Sequence, residues 1–135
     1  MTAQYNFIGS ESCFQNASFQ AKLTWNDANS NPYNLSSYGA FMQVRPYYQN
    51  PVSIIDLVSY SSDPGYGSRL MLDNIGGITI YISKDDTVNL VSGIYDYDLV
   101  LVNPDGFATR LLEGKFEVRI GVTRNIPASS DVIVA

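Results

Sequence analysis

The sequence has 135 residues, eight Lys and Arg against thirteen Asp and Glu, a formal charge of −5 and no histidine. That length suits one domain able to bury roughly two thirds of its unfolded surface, and the scattered basic residues exclude general binding to a nucleic-acid backbone. The missing histidine removes the Ser-His-Asp triad and every His-dependent metal site, and the lone Cys13 removes an internal disulfide and a Cys-rich zinc site.

Tyr5, Asn6, Phe7 and Ile8 suggest a short first strand closed by Gly9 and Ser10. Residues 17–25 read as a strand in which Ala17, Phe19, Ala21, Leu23 and Trp25 alternate with Ser18, Gln20, Lys22 and Thr24. A period of two makes one face buried and the other wet, as in an antiparallel sheet. Residues 26–34 are dense in Asn, Asp, Ser and Pro and read as a loop. In residues 38–45, Ala40, Met42 and Val44 are expected inward and Phe41, Gln43 and Arg45 outward. Pro46 and Pro51 then bracket an exposed turn carrying Tyr47 and Tyr48. Residues 52–60 form a fourth strand of uncertain phase at Ile54 and Ile55, and residues 61–68 a Gly- and Pro-containing loop.

Residues 69–72 give a short strand, and after Gly76 and Gly77 the residues Ile78, Ile80 and Ile82 share one face. Ser83 heads a helical turn with Asp85 and Asp86 at its positive end. Residues 93–120 carry the clearest pattern: Tyr95, Tyr97, Leu99 and Leu101 on one face, then the turn Asn103, Pro104, Asp105 and Gly106. In that turn proline presets φ, Asp105 bonds locally to backbone and Gly106 accepts positive φ. The return arm carries Phe107, Thr109 and Leu111, then changes phase near Leu112 and Gly114, which predicts a bulge or bend. From there Phe116, Val118 and Ile120 share a face.

Short strands between turn-rich loops, with no helical stripe, predict an all-β chain folded as a single antiparallel β-sandwich, immunoglobulin-like or jelly-roll-like. The sandwich is expected over residues 1–124, with residues 125–135 a C-terminal tail or arm. That arm ends in Val132, Ile133 and Val134, apolar enough for a last strand or for pairing with a neighbour's sheet edge. No charged leader with an apolar core follows Met1 and no apolar run reaches membrane-spanning length, so the expectation is synthesis in a cytoplasm and no membrane partner.

The remaining chemistry rests on carboxylates. Asp96 and Asp98 alternate on one strand face, roughly 7 Å apart by strand rise, a spacing that fits a shared Ca²⁺, an acid pair or a plain solvated face. The solvated face is preferred, no cofactor or metal is expected, and Cys13 without a basic neighbour reads as an inert thiol. Glu113 and Glu117 read as surface charge beside Arg110 and Arg119. Tyrosines are the compositional oddity. Tyr33, Tyr47, Tyr48, Tyr60 and Tyr66 fall in or beside loops, where aromatic rings stack on sugars, fill protein interfaces or fold back over the sandwich ends. An enzyme is not expected. The residues assigned to a protein interface are Tyr47, Tyr48, Tyr66, Val132, Ile133 and Val134.

The order of several segments resembles small proteins of tailed phages and prophages. The segments are residues 19–27 (Phe19 through Trp25 to Asp27), 33–38, 41–45, 78–83, 95–99, 105–114 and 122–124, together spanning about residues 5–124. The pattern is similar to the N-terminal β-sandwich of baseplate upper proteins, which anchor receptor-binding parts to the tail. The resemblance implies a virion structural protein, most simply a baseplate or tail-fibre adaptor. Other virion proteins would be its partners, and it would form a homo-oligomer in the particle, with no nucleic acid bound. The resemblance implies no active site. Capsid decoration, a neck position and a carbohydrate-binding module are the alternatives, and residues 61–68 and the segment beyond Arg124 depart from the family pattern.

Overall fold

A computed structural model describes residues 3–59 and 68–120, so the expectations for Tyr60, Tyr66, the loop 61–67 and the segment 121–135, with Val132, Ile133 and Val134, lie outside the described residues. In chain order the strands are β1 (Ala3–Gln4), β2 (Cys13–Phe14), β3 (Phe19–Thr24), β4 (Gly39–Arg45), β5 (Ile55–Val58), β6 (Arg69–Leu72), β7 (Gly77–Ile82), β8 (Gly93–Val102) and β9 (Ala108–Arg119). A helical turn, α1 (Lys84–Thr87), links β7 to β8. The larger sheet runs β1-β9-β8-β4-β5, with β2 also on β9, and the smaller runs β3-β7-β6. The two sheets pack face to face as an all-β sandwich.

Alternation places the core as expected. Ala40, Met42 and Val44 of β4, Leu99 and Leu101 of β8, and Ile78, Ile80 and Ile82 of β7 are all buried between the sheets. Burying each large side chain contributes about 1.5–3 kcal/mol. Tyr95 and Tyr97 join them, and their hydroxyls donate to the carbonyls of Val91 and Tyr5 at 2.5 and 2.6 Å, so neither ring buries an unpaired polar atom.

The central hairpin contains the expected irregularity, at a different residue. Leu99 pairs with Leu112 but Val100 pairs with Arg110, so Leu111 is the extra residue. Leu111 and Leu112 both pack on the core side. Gly114 is small for a separate reason. A Cβ there would lie 2.2 Å from the carbonyl oxygen of Tyr5, because the N-terminal segment crosses directly over it. Phe116 and Val118 are buried as predicted, whereas Ile120 follows the last residue of β9 and is exposed.

That crossing segment corrects the expected start of the fold. The first strand is β1, and residues 5–8 continue it as an extended run with one bridge, Phe7 to Phe116. Tyr5 and Phe7 donate their amides to the carbonyls of Glu113 and Lys115 at 3.0 and 2.8 Å, and Glu117 donates back to Phe7. These pairings are parallel, as are those of β1 and β2 with β9, so the larger sheet is mixed. Parallel neighbours need a long connection, which a segment so distant in sequence satisfies. Phe7 is buried against Phe19, Tyr97 and Phe116, with ring centroids 5.2–6.1 Å apart.

Two polar assignments also change. Glu117 is half-buried and accepts hydrogen bonds from the Gly9 amide at 3.0 Å and the Ser12 hydroxyl at 2.8 Å, fastening the N-terminal segment rather than decorating the surface. Ser83 occupies the N-cap position of α1, but its hydroxyl lies against the Asp86 carboxylate instead of capping a backbone amide. The buried Thr87 hydroxyl ties the turn to the sandwich by donating to the Ala17 carbonyl at 2.9 Å.

Candidate interaction surface

The outward side chains of the larger sheet fall into rows set by register. One row runs Val58, Phe41, Val100 and Arg110; the next, toward the hairpin tip, is Gly39, Val102 and Ala108. In the other direction come Asp56, Gln43, Asp98 and Glu113, then Arg45, Asp96 and Lys115. The face therefore has an apolar half near the tip and a charged half at the far end. Phe41 is 47% exposed at the middle of the apolar half, and Phe107 beyond the turn is 70% exposed. Phe41 with its paired Val58 and Val100 makes the apolar part of this face, and Arg110 ends the same row.

The connection between β4 and β5 rises beside the charged half. Arg45 donates to the Asn50 carbonyl at 2.9 Å, Asn50 donates to the Tyr47 carbonyl at 2.9 Å, and the Asn50 side chain accepts from the Val52 amide. From β8, the Asp96 carboxylate accepts the Tyr48 amide at 2.9 Å. The loop is thus braced from both sides, with Tyr47 54% and Tyr48 76% exposed. A backbone braced this way loses little further conformational entropy on contact. Below Tyr48 a shallow groove of about 660 Å³ runs past Asn6, Asp96, Asp98, Arg110 and Lys115.

The carboxylate pair does not gather toward a common point. Asp96 accepts from Lys115 Nζ at 2.6 Å, and Asp98 accepts from Arg110 Nε at 3.0 Å. A Ca²⁺ ion bridging them would have to displace both cations as well as the Tyr48 amide. Among the described residues no cluster of three or more Cys, Asp or Glu is placed to hold a metal ion. Asp56, Asp96, Asp98 and Glu113 here outnumber Arg45, Arg110 and Lys115, so the face is net acidic, and exposed pairs of this kind contribute at most about 1 kcal/mol each. Cys13 is buried, and burial pushes its thiol up to about 12, so it remains protonated and unreactive near neutrality.

Of the residues assigned to an interface, Tyr47 and Tyr48 stand together on this surface. Tyr66, Val132, Ile133 and Val134 lie outside the described residues. Tyr33 is not part of it: its ring stacks on Trp25 with centroids 4.2 Å apart and packs against the core, with Tyr38 edge-on to the same indole. Sequence reasoning misses the apolar half, although its signal is present. After Asp98 the outward positions of β8 become Val100 and Val102, so the polar half of the alternation is lost just where Phe41 points outward from β4. No protein-family model matches the sequence, and no curated protein matches it.

Proposed function

We propose that the chain is a structural subunit of a tailed-phage virion, acting by protein–protein assembly at the baseplate or tail-fibre attachment region. The observation that carries this reading is the outer face of the larger sheet. It joins an apolar half around Phe41 to a braced Tyr47–Tyr48 loop on an otherwise acidic protein. Such a surface suits a fixed neighbour better than a diffusing small substrate, because it is broad, shallow and already organised. The resemblance of the segment order to small tailed-phage proteins supplies the context, and a sandwich of this kind can serve as an adaptor through its faces and edges. In this reading the protein has no enzymatic role, is made in the host cytoplasm, ends in the virion and repeats around a symmetry axis.

A carbohydrate-binding module is the second reading, favoured by one observation: Tyr48 overhangs a groove with Asn6, Asp96 and Asp98 on its walls, a combination that stacks and hydrogen-bonds sugars. Cross-linking mass spectrometry on purified particles from the source decides between them. Links from Lys84 or Lys115 to baseplate or fibre proteins are expected. Links to the major capsid protein would move the subunit to the head, and absence from particles would overturn the virion reading. Titration with soluble glycans, followed by tyrosine fluorescence, should then leave the emission unchanged if assembly is the role.

A further inference from the structure

The outer faces of the two sheets differ in charge. In the smaller sheet the isoleucines of β7 and Leu70 of β6 are buried toward the core. Alternation therefore turns two registered rows outward, Gln20–Tyr81–Arg69 and Lys22–Thr79–Met71. These rows carry two cations and no carboxylate. Asp73, which follows β6 on this face, turns its carboxylate onto the amides of Ile75 and Gly77 at 2.9 and 2.6 Å. In the larger sheet the row Asp56–Gln43–Asp98–Glu113 carries three carboxylates and no cation. Arg110 pairs with Asp98 and Lys115 with Asp96, whereas Asp56 accepts the Ser53 hydroxyl and Glu113 lies directly opposite Asp98. Like charges set opposite each other on neighbouring strands repel, and a cation brought against the pair relieves that repulsion.

We infer that the outer face of the larger sheet docks the outer face of the smaller sheet of a second copy of this chain, head to tail. The charge spacings of the two faces agree. Neighbouring strands lie about 4.8 Å apart and alternate residues of one strand about 6.7 Å apart, so Lys22 on β3 and Arg69 on β6 are separated by about 12 Å. Asp56 on β5 lies two and a half strand spacings from the midpoint of the Asp98–Glu113 pair, again about 12 Å. One copy can therefore set Lys22 against Asp98 and Glu113 while Arg69 reaches Asp56. The Arg69 guanidinium lies over the Tyr81 ring, 5.7 Å from its centroid, and Tyr81 and Met71 bring apolar surface toward Phe41, Val58 and Val100. Pairing two larger-sheet faces would set acid against acid, and pairing two smaller-sheet faces cation against cation, so the contact is heterologous. The two faces lie on opposite sides of the sandwich, so each copy uses both and growth does not stop at two. Three strands about 20 Å long offer less than the ~800 Å² per partner of a standard interface, which makes the association weak and salt-dependent. This contact deepens the assembly reading, on which it rests for the role of the Phe41 face, by naming the neighbour.

Sedimentation velocity on the full chain at low salt tests it, from about 10 μM to about 1 mM, the range in which a contact of this size is populated. The wild type is expected to pass from monomer to species larger than a dimer, and to return to monomer in about 0.5 M salt. Glu113→Lys and Lys22→Glu should each weaken association at least ~10-fold. Far-UV CD and the melting temperature should hold in both, since neither side chain belongs to the core. An equimolar mixture of the two variants should associate again, because the intact cationic face of one meets the intact acidic face of the other. A wild type that stays monomeric throughout, a Lys22→Glu protein that associates like the wild type, or a mixture no stronger than its components would overturn the inference. A monomer that still cross-links to baseplate proteins in particles would remove the stacking contact and leave the virion reading standing; stacking by a protein absent from particles would do the reverse.

Discussion

Glu117 shows how much a single side chain carries in this molecule. It sits on β9 beside the crossing N-terminal segment, and the Gly9 amide and Ser12 hydroxyl both donate to it. Those two bonds favour the ionised form and hold its carboxyl below the ordinary glutamate value. A carboxyl depressed in the folded state stabilises the fold at pH values above its unfolded pKa, and that contribution disappears as pH falls through the folded value. Glu117→Gln is therefore expected to melt below the wild type at pH 7, with the gap closing as the pH drops below about 4. Thermal denaturation at pH 7, 5 and 3 measures it, and a gap that does not depend on pH would mean the charge is idle. Alternation puts Glu117 at an outward position, where it reads as surface charge, because its partners lie more than a hundred positions away. Local patterning has no view of such a contact. Cys13 is the opposite case: an isolated thiol beside Phe14, legible as inert because no basic neighbour accompanies it.

At the scale of elements, the β8–β9 hairpin is legible almost whole. Alternation fixes which residues of β8 face the core, and the turn residues fix where it reverses. Gly106 has φ +87, so a β-branched residue there would be strained by about 1–2 kcal/mol. Gly106→Val should lower the urea midpoint accordingly, and an unchanged midpoint would mean the turn has another geometry. The residue that organises this turn is Asn103 rather than Asp105, since its side-chain oxygen accepts the amides of Asp105 and Phe107 at 3.0 and 2.9 Å. Both residue types make such bonds, and only the coordinates show which does. A phase change signals the bulge, but two adjacent leucines and a nearby glycine leave its position open. The parallel N-terminal segment is not legible at all. Residues 5–8 look like any short strand, and nothing local to them says which strand they meet or in which direction.

For the whole molecule, the question is which surface meets a neighbour. Tyr47 and Tyr48 are legible as exposed because two prolines bracket them and forbid a central strand. The apolar half of the sheet is not, because it is assembled from β4, β5 and β8, each contributing only one or two outward residues. Phe41→Ser removes the centre of that face without opening the core. Its effect on stability is expected to stay within about 0.5–1 kcal/mol, while incorporation into particles falls. A variant that assembles normally would exclude this face as the contact. The crossing of Tyr5 over Gly114 has a further consequence, for synthesis. Asn6 bonds to Lys115 across 109 positions, and the N-terminal residues add to the edge of a strand made near the end of the described chain. While the ribosome is still extending the chain, Phe7 has no Phe116 to pack against and Tyr5 no Glu113 to bond. Residues 5–7 are made before β9 and must wait for it, so closure of the larger sheet follows synthesis of the segment up to Glu117. During that interval Tyr5 and Phe7 lack both the strand edge they bond to and the rings they pack against.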